Sequence, residues 1–220
     1  AYEREHLLMT RADPRAAQLL RPPRSTLKDA ARLLDPDTVL LQFHLGSNGC
    51  YVWAVGSSTA AGYALGKEQP ITGLARQLHQ HLTARNERPP SESAEARARR
   101  IEKADVASTT TARALSELVL WPAARAIAGK KRVVIAADGA LHFVPFLMLP
   151  DPNAPEEPLI AGHEVLSIPS ISVLAAVRGK SAGGAGAAGK KLVLLADNVF
   201  VGSDERISKA ALVTLQLTVY

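Results

Sequence analysis

One cysteine and six histidines in 220 residues leave few ways to build a nucleophile. Cys50 is the only thiol, and a catalytic thiolate needs a nearby histidine or helix N-terminus together with access to solvent. Cys50 instead follows a Gly46-Ser47-Asn48-Gly49 turn and opens a strand-like segment beside Tyr51 and Trp53, the setting of a small buried hydrophobe. His79 and His81 stand two apart on a helical segment, so they point in different directions and cannot share a metal. His6 and His44 have no ligand-type residues beside them. His142 and His163 share the most apolar block of the chain and are the only plausible pair, yet no obvious nucleophile accompanies them. Serine hydrolysis finds no Gly-x-Ser-x-Gly, and Ser170, following Pro169 at a helix start, is better explained as an N-cap.

Phosphate chemistry fares no better. The run from Gly184 to Gly189 followed by Lys190 matches a phosphate loop up to its lysine, but Lys191 stands where a hydroxyl should reach magnesium. A phosphate loop also follows a strand and opens a helix, whereas this run follows a helix and opens a strand. It reads as a glycine-alanine linker. Asp138 and Asp197 each end an apolar strand (VVIAAD and LVLLAD), a position that could hold magnesium but also commonly starts the turn out of a sheet; Asp138-Gly139 is such a turn, and without a phosphate loop the turn reading wins for both.

The elements that would position these residues form an α/β pattern. Apolar residues make up 47% of the chain, enough for a real core, and aromatics only 5%, so that core rests on Leu, Val, Ile and Ala. No uncharged apolar run reaches the ~18 residues needed to cross a bilayer, and the charged N-terminus does not read as a signal peptide. A cytoplasmic protein without membrane or nucleic-acid partners is expected. The net charge of +5 is spread over mixed-sign segments such as 85–103, with no interleaved aromatics to stack bases.

Residues 1–24 read as a helical linker broken at Pro14. Ser25 is placed to cap a helix through Leu27, Ala30, Ala31 and Leu34. Three strands follow as an antiparallel meander: Val39–Leu45, Cys50–Val55 and Thr59–Leu65. Asn48-Gly49 suits a type I′ turn with positive φ at both residues. Residues 71–82 space Ile71, Leu74, Leu78 and Leu82 as an amphipathic helix. A charged helical turn is expected over 94–101 and a longer helix over 111–127, which Pro122 kinks or divides. A boundary at 104–107 separates this 25–104 subdomain from an α/β core over 105–200. In the core, 132–137 reads as a strand buried on both faces, 164–168 as a second strand, 171 onward as a helix, 181–189 as a flexible tether and 192–196 as a further strand. Residues 201–220 form a divergent tail, and without its cover the sheet edge beyond 192–196 would be sticky.

These segments, in this order, resemble the CHAT domain family of bacterial caspase-like proteins, usually attached behind tetratricopeptide repeats. The resemblance runs from Ser25 to Phe200 through LLQFHLG, CYVWAV, RVVIAADGALHFVPFLML, LIAGHEVLSIPSIS and KKLVLLADNVF. It implies a caspase-like α/β sandwich, here partial and preceded by the meander with helices, and a Cys–His dyad as the family chemistry. In the family the histidine lies in a His-Gly motif and the cysteine in an Ala-Cys motif, both downstream of the strand matching 192–196. No His-Gly dipeptide occurs here and Cys50 lies far upstream. The expected site is therefore empty of assignments: no catalytic residue, no cofactor-binding residue and no metal ligand. The expectation is an N-terminal scaffold portion of a CHAT-type cysteine peptidase domain, inactive alone and truncated or divergent after Phe200. The alternative is a non-catalytic interaction module in a bacterial signalling or defence complex, with upstream tetratricopeptide repeats or another protein as partner.

Overall fold

The computed structural model describes residues 26–87 and 89–175. The readings on residues 1–25, the 181–189 tether, the glycine run to Lys191, the 192–196 strand with Asp197, and the tail lie outside the described residues.

Helix α1 (Leu27–Arg32) opens on a capping box: the Thr26 hydroxyl accepts from the Asp29 N–H, and the Asp29 carboxylate accepts from the Thr26 N–H. The cap is thus Thr26, with Asp29 three residues on completing the box. Asp35 ends the connector by accepting from the Asp37 N–H and the Thr38 hydroxyl, which directs the chain into β1 (Thr38–His44).

β1, β2 (Cys50–Val55) and β3 (Ala60–Gly66) form the expected antiparallel meander. Its first turn differs from the type I′ reading. Gly49 has φ +139°, but the only described non-glycine with positive φ is Ser91, so Asn48 stays in the ordinary region. The turn is closed instead by the Gly49 N–H donating to Gly46 O at 3.0 Å. The five residues between the strands relieve Asn48 of the left-handed conformation that a two-residue turn would impose.

α2 (Glu68–Thr83) buries Ile71, Ala75 and Leu78 against the sheet. After a short 3₁₀ turn, α3 runs unbroken over Ala94–Val119, with Ser93 as its N-cap. The separate turn at 94–101 and helix from Thr111 are therefore one element, and the boundary placed at 104–107 falls inside it. No Gly or Pro interrupts 94–119, so nothing stops propagation. At about 1.5 Å per residue, α3 spans ~39 Å. Pro122 does divide the chain, which passes through a 3₁₀ turn at Trp121–Ala123 into α4 (Ala124–Ile127).

β4 (Arg132–Ala136) then inserts parallel to β1, and β7 (Glu164–Ile168) adds parallel to β4, giving the order β3-β2-β1-β4-β7. Between β4 and β7 lie two 3₁₀ turns, the small hairpin β5 (Pro150–Asp151) and β6 (Ala154–Pro158), and α5 (Leu159–Gly162). A helix begins at residue 171, and the Ser170 hydroxyl accepts from the Val173 N–H as expected.

The architecture is α/β. One sheet face carries Val39, Leu41, Phe43, Cys50, Val52, Val133 and Ile135 against α2 and α3. The other carries Leu40, Val55, Val134 and Ala136 against Ala30 and Leu34 of α1, with Ile171 beside them. Alternation along β1 and β4 sends successive residues to opposite faces, and both faces are buried. Each fully buried Leu, Ile or Phe contributes roughly 1.5–3 kcal/mol.

Candidate functional site

The carboxyl ends of β1, β4 and β7 lie side by side, the edge where open α/β sheets ordinarily hold their ligands. Gln42 of β1 pairs with Ala136 of β4. Two residues further on, alternation returns His44 and Asp138 to the same face. Asp138 Oδ2 accepts from the Leu45 N–H at 2.8 Å and stands 3.6 Å from His44 Nδ1. Both side chains are open to solvent, at 56% and 41% exposure. The His44 ring is tilted against Trp53 at 6.4 Å, and Trp53 against Tyr51 at 5.9 Å. Gly46 makes room for the ring, since a Cβ there would lie 2.9 Å from His44 Nε2.

This pair joins a residue expected to have no partner to one expected only to start a turn. Asp138 does begin a turn, with Gly139 at φ +53° and the Leu141 N–H donating to Asp138 O. Its carboxylate also fastens the end of β4 to the end of β1. Sequence carried a partial signal, an aspartate closing an apolar strand. The partner 94 positions earlier became visible only with the strand order. Chemically, an imidazole beside a carboxylate can accept or pass on a proton. At 3.6 Å the two do not form a hydrogen bond, and Gln42 Oε1, on the same strand, is buried without one.

The thiol cannot join them. Cys50 is 1% exposed and packs in the core beneath α2. His44 pairs in register with Tyr51, whose side chain points away from the face that holds Cys50, so the sheet itself separates sulfur from imidazole. His142 and His163, the pair singled out in sequence, are also kept apart. His142 is exposed in the 3₁₀ turn after the carboxyl end of β4, and His163 immediately precedes the amino end of β7. His79 is tilted against Phe143, with ring centroids 5.3 Å apart.

His163 belongs to a second constellation that the sequence did not reveal. Its Nδ1 lies 2.6 Å from Lys130 O and its Nε2 2.9 Å from Asp151 Oδ2, with both side chains only 7% exposed. A carbonyl only accepts, so Nδ1 donates to Lys130 O, which leaves Nε2 to pair with Asp151 Oδ2. Asp151 Oδ1 further accepts from the Asn153 N–H at 2.7 Å. Around the same amino ends, Arg132 donates to Glu164 and Asp35, and Lys131 pairs with Asp37. The Glu164 carboxylate raises the Arg132 guanidinium above its ordinary range, and Asp37 does the same for Lys131. Among the described residues no group of three or more His, Cys, Asp or Glu is placed to hold a metal ion, and no helix is long and apolar enough to cross a membrane.

The CHAT domain family model matches residues 109–218, half of the chain, and the chain belongs to that caspase-like family. The match begins within α3, takes in β4 and β7, and continues past Phe200. The meander and Cys50 lie before it. No curated protein and no solved structure matches the chain.

Proposed function

We propose that the chain serves as scaffold for a CHAT-type caspase-like domain and does not itself cleave peptide bonds. The observation that carries this reading is the placement of Cys50. The only thiol of the chain is buried on one sheet face, while His44 stands at the strand ends on the other. A nucleophile and its base must come within hydrogen-bonding reach, directly or through one water, and a packed sheet between them prevents it. The scaffold role itself is supported by the way β4 sits between β1 and β7, with its amino end tied to both by Arg132.

The test is direct. Purified chain is incubated with a mixed peptide library, and new termini are read by mass spectrometry, with and without iodoacetamide. No cleavage is expected in either sample. Cleavage that disappears on alkylation and in Cys50→Ala would refute the proposal.

A further inference from the structure

Two strands bound the described sheet, and they are finished differently. β7 starts with Glu164, whose carboxylate holds Arg132 at 2.7 Å, and it leads directly into the helix that begins at 171. β3 reads Ala60-Ala61-Gly62-Tyr63-Ala64-Leu65-Gly66, without a charge or a proline. Five of its seven residues are exposed, only Leu65 being buried and Tyr63 partly so. The one register irregularity lies at its far end, opposite Cys50/Tyr51, so pairing is regular from Ala60 to Ala64. Proteins ordinarily blunt such an edge with lysine, proline, a mid-strand bulge or brevity, because its outward main-chain groups template a further strand. From Ala60 to Ala64 β3 has none of these devices.

We propose that β3 is the surface through which two copies of this chain associate, each β3 pairing antiparallel with the other about a two-fold axis. Charge argues for a second copy as occupant. An isologous contact brings every residue of a strand near its own kind, so a charged edge would repel itself, and β3 is neutral throughout. Antiparallel pairing also sets Lys67-Glu68, just past one end, beside the uncharged turn Gly56-Ser57-Ser58-Thr59 of the other copy. On a chain of formal charge +5, two copies can meet here without opposing like charges. Side-chain size agrees. Ala60, Gly62 and Ala64 lie in register with Val55, Trp53 and Tyr51, so the small residues at the edge leave space over aromatics of which Tyr51 is 41% exposed. This association is independent of whether the chain cleaves peptides.

The experiment is light scattering coupled to size exclusion on the full chain at tens of micromolar. Wild type is expected at twice the chain mass. Ala61→Lys combined with Ala64→Lys, both at exposed positions, should halve that mass while leaving the circular dichroism spectrum unchanged. Ala61→Glu with Ala64→Glu should do the same. An equimolar mixture of the two variants should return to the double mass, because position 61 of one copy then faces position 64 of the other with opposite charge. Val106→Lys, at a 68%-exposed site on α3, should remain double. The proposal fails if wild type runs at the single mass, if the lysine variant keeps the double mass, or if the folded variants do not recombine. Capture of an extended peptide by a monomeric wild type would assign the edge to another partner and would likewise overturn it.

Discussion

The two ends of the parallel strands are built on opposite principles. At the amino ends, Arg132, Glu164, Asp35, Lys131 and Asp37 interlock, and beneath them the buried His163–Asp151 pair ties the β5–β6 hairpin to the chain just before β4. At the carboxyl ends one carboxylate, Asp138, accepts one N–H, and the imidazole beside it stands 3.6 Å away, too far for a hydrogen bond. The difference teaches where stability and accessibility are divided. At the amino ends every one of these groups is paired, and the His163–Asp151 pair among them is withdrawn from water, whereas His44 and Asp138 at the other end stay exposed without a hydrogen bond between them.

The sharpest way to break the comparison is to remove the buried pair. Asp151→Ala or His163→Ala is expected to destabilise by about 3–5 kcal/mol, because the surviving partner is left buried and unpaired. Urea unfolding measures this. Asp151→Asn should cost clearly less, since its amide can donate to Nε2 while Nδ1 still donates to Lys130 O. Equal losses for the Ala and Asn variants would show that the charge, and not the hydrogen bond, holds the hairpin.

At the opposite end Asp138→Ala should cost roughly 1–3 kcal/mol, the penalty of leaving the part-buried Leu45 N–H unsatisfied. His44→Ala is expected within ~0.5 kcal/mol of wild type, as for an exposed side chain without a hydrogen bond. If His44→Ala destabilises as much as Asp138→Ala, the carboxyl end is structural after all.

The smallest effect concerns acid. Arg100 donates to both carboxylate oxygens of Glu92, at 2.7 and 2.8 Å, and this hydrogen bonding holds the Glu92 carboxyl below its ordinary value of 4.5. A carboxyl lowered in the folded state contributes stability that is fully present above 4.5 and is lost as pH falls through the folded value. Glu92→Gln should therefore flatten the stability profile below pH 4.5 and leave the slope above it unchanged. Denaturation followed across that range reads it out.

Much of the fold was legible in the sequence where local pattern governs. Cys50–Val55 alternates so cleanly that both its limits and its two faces could be read directly, and the continuous apolar run after Arg132 marked a strand buried on both sides. The long helix was less legible. Its charged first half lacks an apolar stripe, yet it belongs with residues 111–119 because nothing in its backbone chemistry ends it. The β5–β6 hairpin escaped notice because Pro150, Pro155 and Pro158 argue against strands, and a two-stranded ribbon tolerates them only at its edges.

By itself the sequence determined the α/β class, the meander, the cap at Ser170 and the segments that resemble the CHAT family. It also determined that only one thiol exists. Tertiary structure alone decided the strand order β3-β2-β1-β4-β7, and with it which distant residues meet. His44 finds Asp138 across 94 positions, and His163 finds Asp151 and Lys130, because parallel strands separated by long crossovers are brought into register by the core. Periodicity fixes which way a side chain points from its own strand. It carries no information about which strand lies alongside.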